Sequence, residues 1–328
     1  LSGVRRGIMA GALSVLIAHG IAAQRSSGDE GAPEFLFPTG ARFVAIGQSG
    51  VATVRGAEAL WWNPAGIVRA NREIQINNTS NQLAALSDLS LGAVYSLPRV
   101  MAFGLGLRYV NNGLFEARDL QGAVTGSFTN TSYVTGATFA APFGNRLSSG
   151  MTLKLLVVNF NCTGTCPNNP QNNPVTGAVD AGVQYAVTRD STVTIGAAVR
   201  NLGFALQFND SPQSDVLPRR ADFGIDVAPK LAQYPGLEVR GSAAMVLRIG
   251  GDDANSGPGF RVGGEVSWLK QYYGRAGYIH AGPGDDSGPT LGAGINVGRW
   301  QIDFARFISE NGAPSGVRPT FFSLRYSF

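Results

Sequence analysis

The sequence predicts an all-β chain: a transmembrane antiparallel β-barrel of about fourteen strands, with a small N-terminal plug containing short helical pieces. Three observations predict it. Side chains alternate between apolar and small or polar over segments of about 9–11 residues, the length a tilted strand needs to cross a bilayer. Such segments recur through most of the 328 residues. Charged residues make up only 15% of the chain, while glycine occupies 44 positions. A soluble domain carries roughly 25% charge and 7% glycine. A barrel tolerates the difference because one face meets lipid and the other can be lined with small neutral residues.

Residues 1–23 read as an export signal. Arg5 and Arg6 form the basic start, Gly7 to Ala18 the apolar stretch, and Gly20-Ile21-Ala22-Ala23 the small-residue cleavage region. A short membrane anchor with the same features is the alternative. No Cys directly follows the cut, which argues against a lipid anchor. Residues 24–34 are polar and read as a linker, and residues 35–70 as the plug. Within the plug, Gly47-Gln48-Ser49-Gly50 precedes Gly56-Ala57-Glu58-Ala59-Leu60-Trp61-Trp62, which suits one or two helical turns. Asn63-Pro64-Ala65-Gly66 stops that helix, because Pro disfavours helical geometry in the residue before it.

Residues 71–328 form the barrel. Candidate strands lie near 73–80, 88–97, 101–111, 118–128, 131–142, 147–159, 176–188, 192–201, 219–228, 237–249, 259–270, 272–280, 288–297, 299–308 and 319–328. An even number is expected, so one of these fifteen is assigned to the plug. Phe103, Leu105, Leu107 and Tyr109 alternate with Ala102, Gly104, Gly106 and Arg108. In the final segment Phe322, Leu324, Tyr326 and Phe328 alternate with Phe321, Ser323, Arg325 and Ser327. These two sets belong on opposite faces of a strand. Leu97-Pro98-Arg99 and Pro142-Phe143-Gly144-Asn145 are tight turns, whereas 159–176, 208–218, 249–259 and 281–289 are long and polar. Short turns on one rim and long loops on the other suit an outer-membrane barrel. Phe322, Leu324, Tyr326 and Phe328 also make the kind of aromatic end that the barrel assembly machinery reads, which places the chain in the bacterial outer membrane, in contact with its lipid.

Other chemistry has little to work with. The net charge is +4 and no basic run tracks phosphates, so no nucleic-acid partner is expected. Past the signal the one histidine is His280, at a strand end, which leaves no Ser-His-Asp set. No Cys/His cluster suits zinc and no phosphate loop is present, so neither an enzyme nor a cofactor is expected. Cys162 and Cys166 in an Asn/Pro-rich loop suit a disulfide in an oxidising compartment. Asp252-Asp253 and Asp285-Asp286 read as solvated loop charges, with calcium as the sharper alternative. Gly292, Gly294 and Gly298 read as small lumen-facing residues under the plug. Trp61 and Trp62 anchor the plug or gate a hydrophobic path. Arg108, Lys154, Arg200, Arg240, Arg248 and Arg325 are expected to pair across the lumen with Glu58, Asp180, Glu238 and Asp303.

Several segments resemble the PorV/PorQ family, which belongs with the FadL-like outer-membrane barrels. They are Gly40 to Gly47 with Gly50-Val51-Ala52, Ala59 to Gly66 with its Asn-Pro-Ala-Gly element, Val199-Arg200-Asn201-Leu202-Gly203, Leu217-Pro218-Arg219, Leu291-Gly292-Ala293-Gly294 and Asp303-Phe304-Ala305. Arg55-Gly56-Ala57-Glu58 departs from the family, where an acidic pair is expected before the Ala. The resemblance implies a fourteen-stranded plugged barrel without catalysis or cofactor. It implies one of two roles: an accessory or shuttle for type IX-like protein secretion, with secreted proteins or secretion components as partners, or a channel for hydrophobic small molecules. The first is the reading preferred from sequence. The first expects a sealed lumen and contacts through the long loops; the second expects an apolar pocket at the plug and a kinked strand in the wall.

Overall fold

Strands that expose an apolar face to lipid must satisfy every backbone group among themselves, and closing the sheet does so. In the computed structural model, which describes residues 30–70, 72–81, 86–165, 173–207, 214–250, 257–281, 287–308 and 319–328, the sheet closes. Its fourteen antiparallel strands are β1 Glu73–Asn81, β2 Leu86–Leu97, β3 Met101–Arg118, β4 Val124–Phe143, β5 Leu147–Gly164, β6 Val175–Ala186 and β7 Val193–Gly203, then β8 Arg220–Val227, β9 Leu237–Arg248, β10 Gly259–Trp268, β11 Tyr272–His280, β12 Gly288–Val297, β13 Trp300–Phe307 and β14 Thr320–Ser327. Each pairs with its neighbours in sequence, and β1 also pairs with β14, from Glu73 opposite Ser327 to Ser80 opposite Thr320. No edge is left open.

The surplus candidate at 118–128 is not part of the plug. It straddles the tip of the β3–β4 hairpin, where residues 119–123 turn and both flanking strands overrun their expected ends. β3, β4 and β5 are 18, 20 and 18 residues long, whereas β8, β13 and β14 have 8 each. The three long strands therefore rise above the wall on the long-loop rim.

Alternation places the side chains as expected. In β14, Phe322 is 44% exposed and lipid-facing, while its neighbours Phe321 and Ser323 are buried inside. Phe103, Leu105 and Leu107 likewise face outward, and Ala102 and Arg108 inward. Exposed aromatic residues gather at the short-turn rim, where Trp300 packs on Tyr326 at 4.7 Å and Phe103 on Phe139 at 5.5 Å. Aromatic girdles of this kind sit at membrane–water interfaces.

The plug lies inside the lumen against successive wall strands. Its two short α-helices, α1 Ala41–Ala45 and α2 Ala59–Trp62, are joined through 3-10 turns at Gly50–Ala52 and Gly56–Glu58 and flanked by others at Pro33–Phe35 and Pro64–Arg69. Every residue of both helices is buried. Gly31 to Glu34, which composition places in the linker, are also part of it: Gly31 N donates to Val216 O, and Ala32 and Glu34 are buried. The expected signal, 1–23, lies outside the described residues. The plug sits against the wall backbone to backbone. Gly47, at φ 64, turns the chain beside β10 and β11, where a Cβ would come within 2.6 Å of Val262 O. Opposite it, a Cβ on Gly277 would run into Ile46 and Gly47.

Candidate functional site: the plugged lumen

Asn63 closes α2 in extended geometry, and its Oδ1 accepts from Ala65 N to start the following 3-10 turn with Pro64 at its first position. Its amide Nδ2 lies 2.9 Å from Val51 O in the plug, 3.1 Å from Val183 O in β6 and 3.3 Å from Ala197 O in β7. Asn63 therefore joins plug to plug and plug to wall. Pro64, Ala65 and Gly66 are buried with it.

Trp61 and Trp62 pack inside the plug core. Trp62 stacks on Phe43 at 4.1 Å and its indole N–H donates to Thr39 O at 2.8 Å. Three lumen cations lie over aromatic rings: Arg108 over Trp61 at 5.6 Å, Lys154 over Phe35 at 5.5 Å and Arg200 over Trp62 at 4.9 Å. Each also has a carboxylate. Arg108 pairs with Asp88 at 2.7 Å, Lys154 with Asp180 at 2.5 Å and Arg200 with Asp222 at 2.7 Å. Arg108 further donates to the carbonyls of Glu34 at 3.0 Å and Phe37 at 2.8 Å, so it clamps the first plug segment to β3.

A second network lies across the lumen. Glu265 accepts from Arg42 of the plug at 3.0 Å and from Arg275 at 2.6 Å, and Arg275 also reaches Asp303 at 2.6 Å. Of the expected pairing residues, Asp180 and Asp303 do bind lumen cations. Glu58 instead accepts from Gln75 at 3.4 Å, and Glu238 sits at the short-turn rim with Lys270 at 3.3 Å. Sequence reasoning missed Asp88, Asp222, Glu265, Arg42 and Arg275. Inward parity marks all of the strand residues among them, but pairing needs the register and the path of the plug.

The described space inside is divided. A void of about 10 Å³ lies between Phe35, Phe37, Trp61 and Trp62 and the three cations. That volume holds at most one water. On the short-turn side a cavity of about 910 Å³ is lined by Arg42, Arg55, Arg240, Glu265 and Tyr273 among others. Toward the long-loop rim, one apolar cluster joins Phe35, Trp61 and Trp62 to Val158, Leu206 and Leu217, with Phe160 packed against it. Higher up, Phe115 and Phe128 stack at 5.2 Å across β3 and β4. A bulge in β3 between Asn111 and Leu114 shifts the register by one and turns Phe115 inward with Phe128. Gly113, at φ 91, sits in that bulge, and Asn112 donates to Glu34 of the plug at 3.5 Å.

Gly292 lies under Ala45 of the plug, whereas Gly294 lies under the Arg275–Asp303 pair, and Gly298 is a turn glycine at φ 62 with open space around it. His280 ends β11 at the long-loop rim. Cys162 is near the end of β5 and carries no free thiol; Cys166 lies outside the described residues, as do Asp252-Asp253 and Asp285-Asp286. Phe322, Leu324, Tyr326 and Phe328 lie along the outer face of β14, with Tyr326 edge-on to Phe328 at 5.0 Å.

No family model matches the sequence, and no curated protein does. The fold matches solved structures of toluene transporters and of a FadL homologue. The Ralstonia pickettii toluene transporter TbuX aligns with a TM-score of 0.59 at 15% identity, over 88% of this chain and 98% of that one. The P. putida toluene transporter TodX gives 0.59 at 13% identity over 88% and 98%. A Pseudomonas aeruginosa FadL homologue gives 0.53 at 13% identity over 89% and 99%. At these identities the likeness shows a shared fold, the closed antiparallel barrel, and no more.

Proposed function

We propose that this chain is an outer-membrane channel for hydrophobic small molecules. One observation carries the reading. The stacked Phe115 and Phe128 stand above an apolar cluster that runs from Phe160 and Val158 to Phe35 and the two tryptophans of the plug. Such apolar side chains suit a molecule without hydrogen-bonding groups, which has no polar atom to desolvate unpaired against them. The sharing of a fold with toluene transporters over nearly their full length supports the same reading. The void beneath Phe35 is too small for any organic solute, so passage requires the plug segment at 34–39 to move.

The PorV/PorQ resemblance offers the other role, a secretion accessory bound by proteins at the long loops. A sealed lumen suits that role as well as the resting state of a channel; the aromatic descent has no use in it. Gentle purification from native outer membranes, with solvent extraction of the barrel and identification of all that remains bound, separates the two. A bound hydrocarbon or lipid-like compound supports the channel. Secreted proteins or secretion components in near-equal amount, with nothing apolar in the extract, overturn it.

A further inference from the structure

We propose that the short-turn vestibule is a binding site for an oxyanion, a carboxylate or a phosphate, held by the guanidinium of Arg55. The cavity of about 910 Å³ is lined by five basic side chains: Arg42, Arg55, Lys230, Arg240 and Lys270. Four have a carboxylate. Arg42 pairs with Glu265 at 3.0 Å, Arg240 with Asp226 at 2.9 Å, Lys230 with Asp190 at 3.1 Å and Lys270 with Glu238 at 3.3 Å. Arg55 has none, and it makes no hydrogen bond or ion pair among the described residues. Its side chain is exposed to the cavity although it lies deep within the barrel mouth.

The surroundings make this unpaired cation unusual. Glu265 is held by Arg42 and Arg275, and Asp303 by Arg275, so neither carboxylate is paired with Arg55. Repulsion from Arg42, burial, and then repulsion from Arg325 and Arg240 push Arg55 down to about 10. A deep site that holds a guanidinium against like charge loses that cost when an anion arrives. The guanidinium offers a planar fork of donors that matches carboxylate and phosphate oxygens two at a time. The cavity volume is at the upper end of the usual range for small-molecule sites, with room for a headgroup and part of a tail. The proposal does not depend on what crosses the lumen, because the vestibule lies on the far side of the plug core from the aromatic descent.

The test is calorimetric titration of the purified barrel, in a neutral detergent and an anion-poor buffer, with inorganic phosphate, with octanoate and with octanol as the uncharged control. At least one anion is expected to bind while octanol does not. Arg55→Gln is expected to weaken that binding about tenfold or more, the scale of a charge-assisted pair. Arg55→Lys keeps the charge and is expected to retain part of the affinity, and Arg118→Gln, an exposed control paired with Glu116 at the opposite rim and outside the cavity, to change it by less than about twofold. Binding of phosphate marks a free-anion site; binding of octanoate without phosphate marks an amphiphile headgroup. Absence of binding by both anions overturns the proposal. So does Arg55→Gln that binds like wild type while showing the same thermal unfolding.

Discussion

The amide of Asn63 donates within the plug to Val51 O and toward the wall carbonyls of Val183 and Ala197, while its oxygen accepts from Ala65 N. All of these groups lie in a lumen with little water to replace them. Asn63→Ala is therefore expected to destabilise plug seating by about 2–3 kcal/mol, the cost of leaving buried polar groups unpaired. Hydrogen exchange checks this: amides over residues 50–66 should lose protection while strand amides keep theirs. At this scale the sequence was partly legible. Asn63-Pro64 is a local signal, and the helix stop follows from neighbouring residues alone. The partners of Arg42 were not legible, because Glu265 is 223 residues away and meets it only once the plug has turned at Gly47 and β10 has taken its place in the wall. Breaking a buried pair of that kind costs about 3–5 kcal/mol, so such partners matter even though periodicity is silent about them.

Individual elements show where the period-two pattern holds and where it slips. The wall strands were readable because lipid on one side and plug on the other force strict alternation. Bulges are invisible to that pattern. In β7, Arg200 and Asn201 are both buried because two residues there oppose Asp180 alone, and Asn201 at φ 62 donates its N–H to Asp180 at 2.7 Å. The β3 bulge likewise broke the run of alternation and split one long hairpin into an apparent extra strand. The plug's fit also belongs to this scale, since a Cβ on Gly263 or Gly277 would meet the Ile46–Gly47 backbone. Gly277→Val is expected to leave the barrel folded, with strands and heat resistance retained, but to unseat the turn at 46–47. Ion conductance in a planar bilayer should then rise several-fold over wild type. Unchanged conductance with a normally folded barrel would mean that the wall gives way there and that the plug is not held by this contact.

For the molecule as a whole, low charge and abundant glycine pointed to the barrel together with the long alternating segments, because a barrel can meet lipid on one face and line its lumen with small neutral residues. It did not point to the task. The aromatic descent is assembled from β3, β4, β5 and the plug, and only the closed barrel brings Phe115, Phe128, Phe160 and Phe35 to one side of the lumen. The channel reading rests on that descent and on a plug segment that yields. The most direct measurement is uptake of a labelled aromatic hydrocarbon by bacteria carrying this barrel in an intact outer membrane, beside the same cells without it. The channel account expects faster uptake with the barrel, slowed when Phe115 and Phe128 are both replaced by Asn. Uptake at the rate of the barrel-free cells, with the protein present and folded in the membrane, contradicts it.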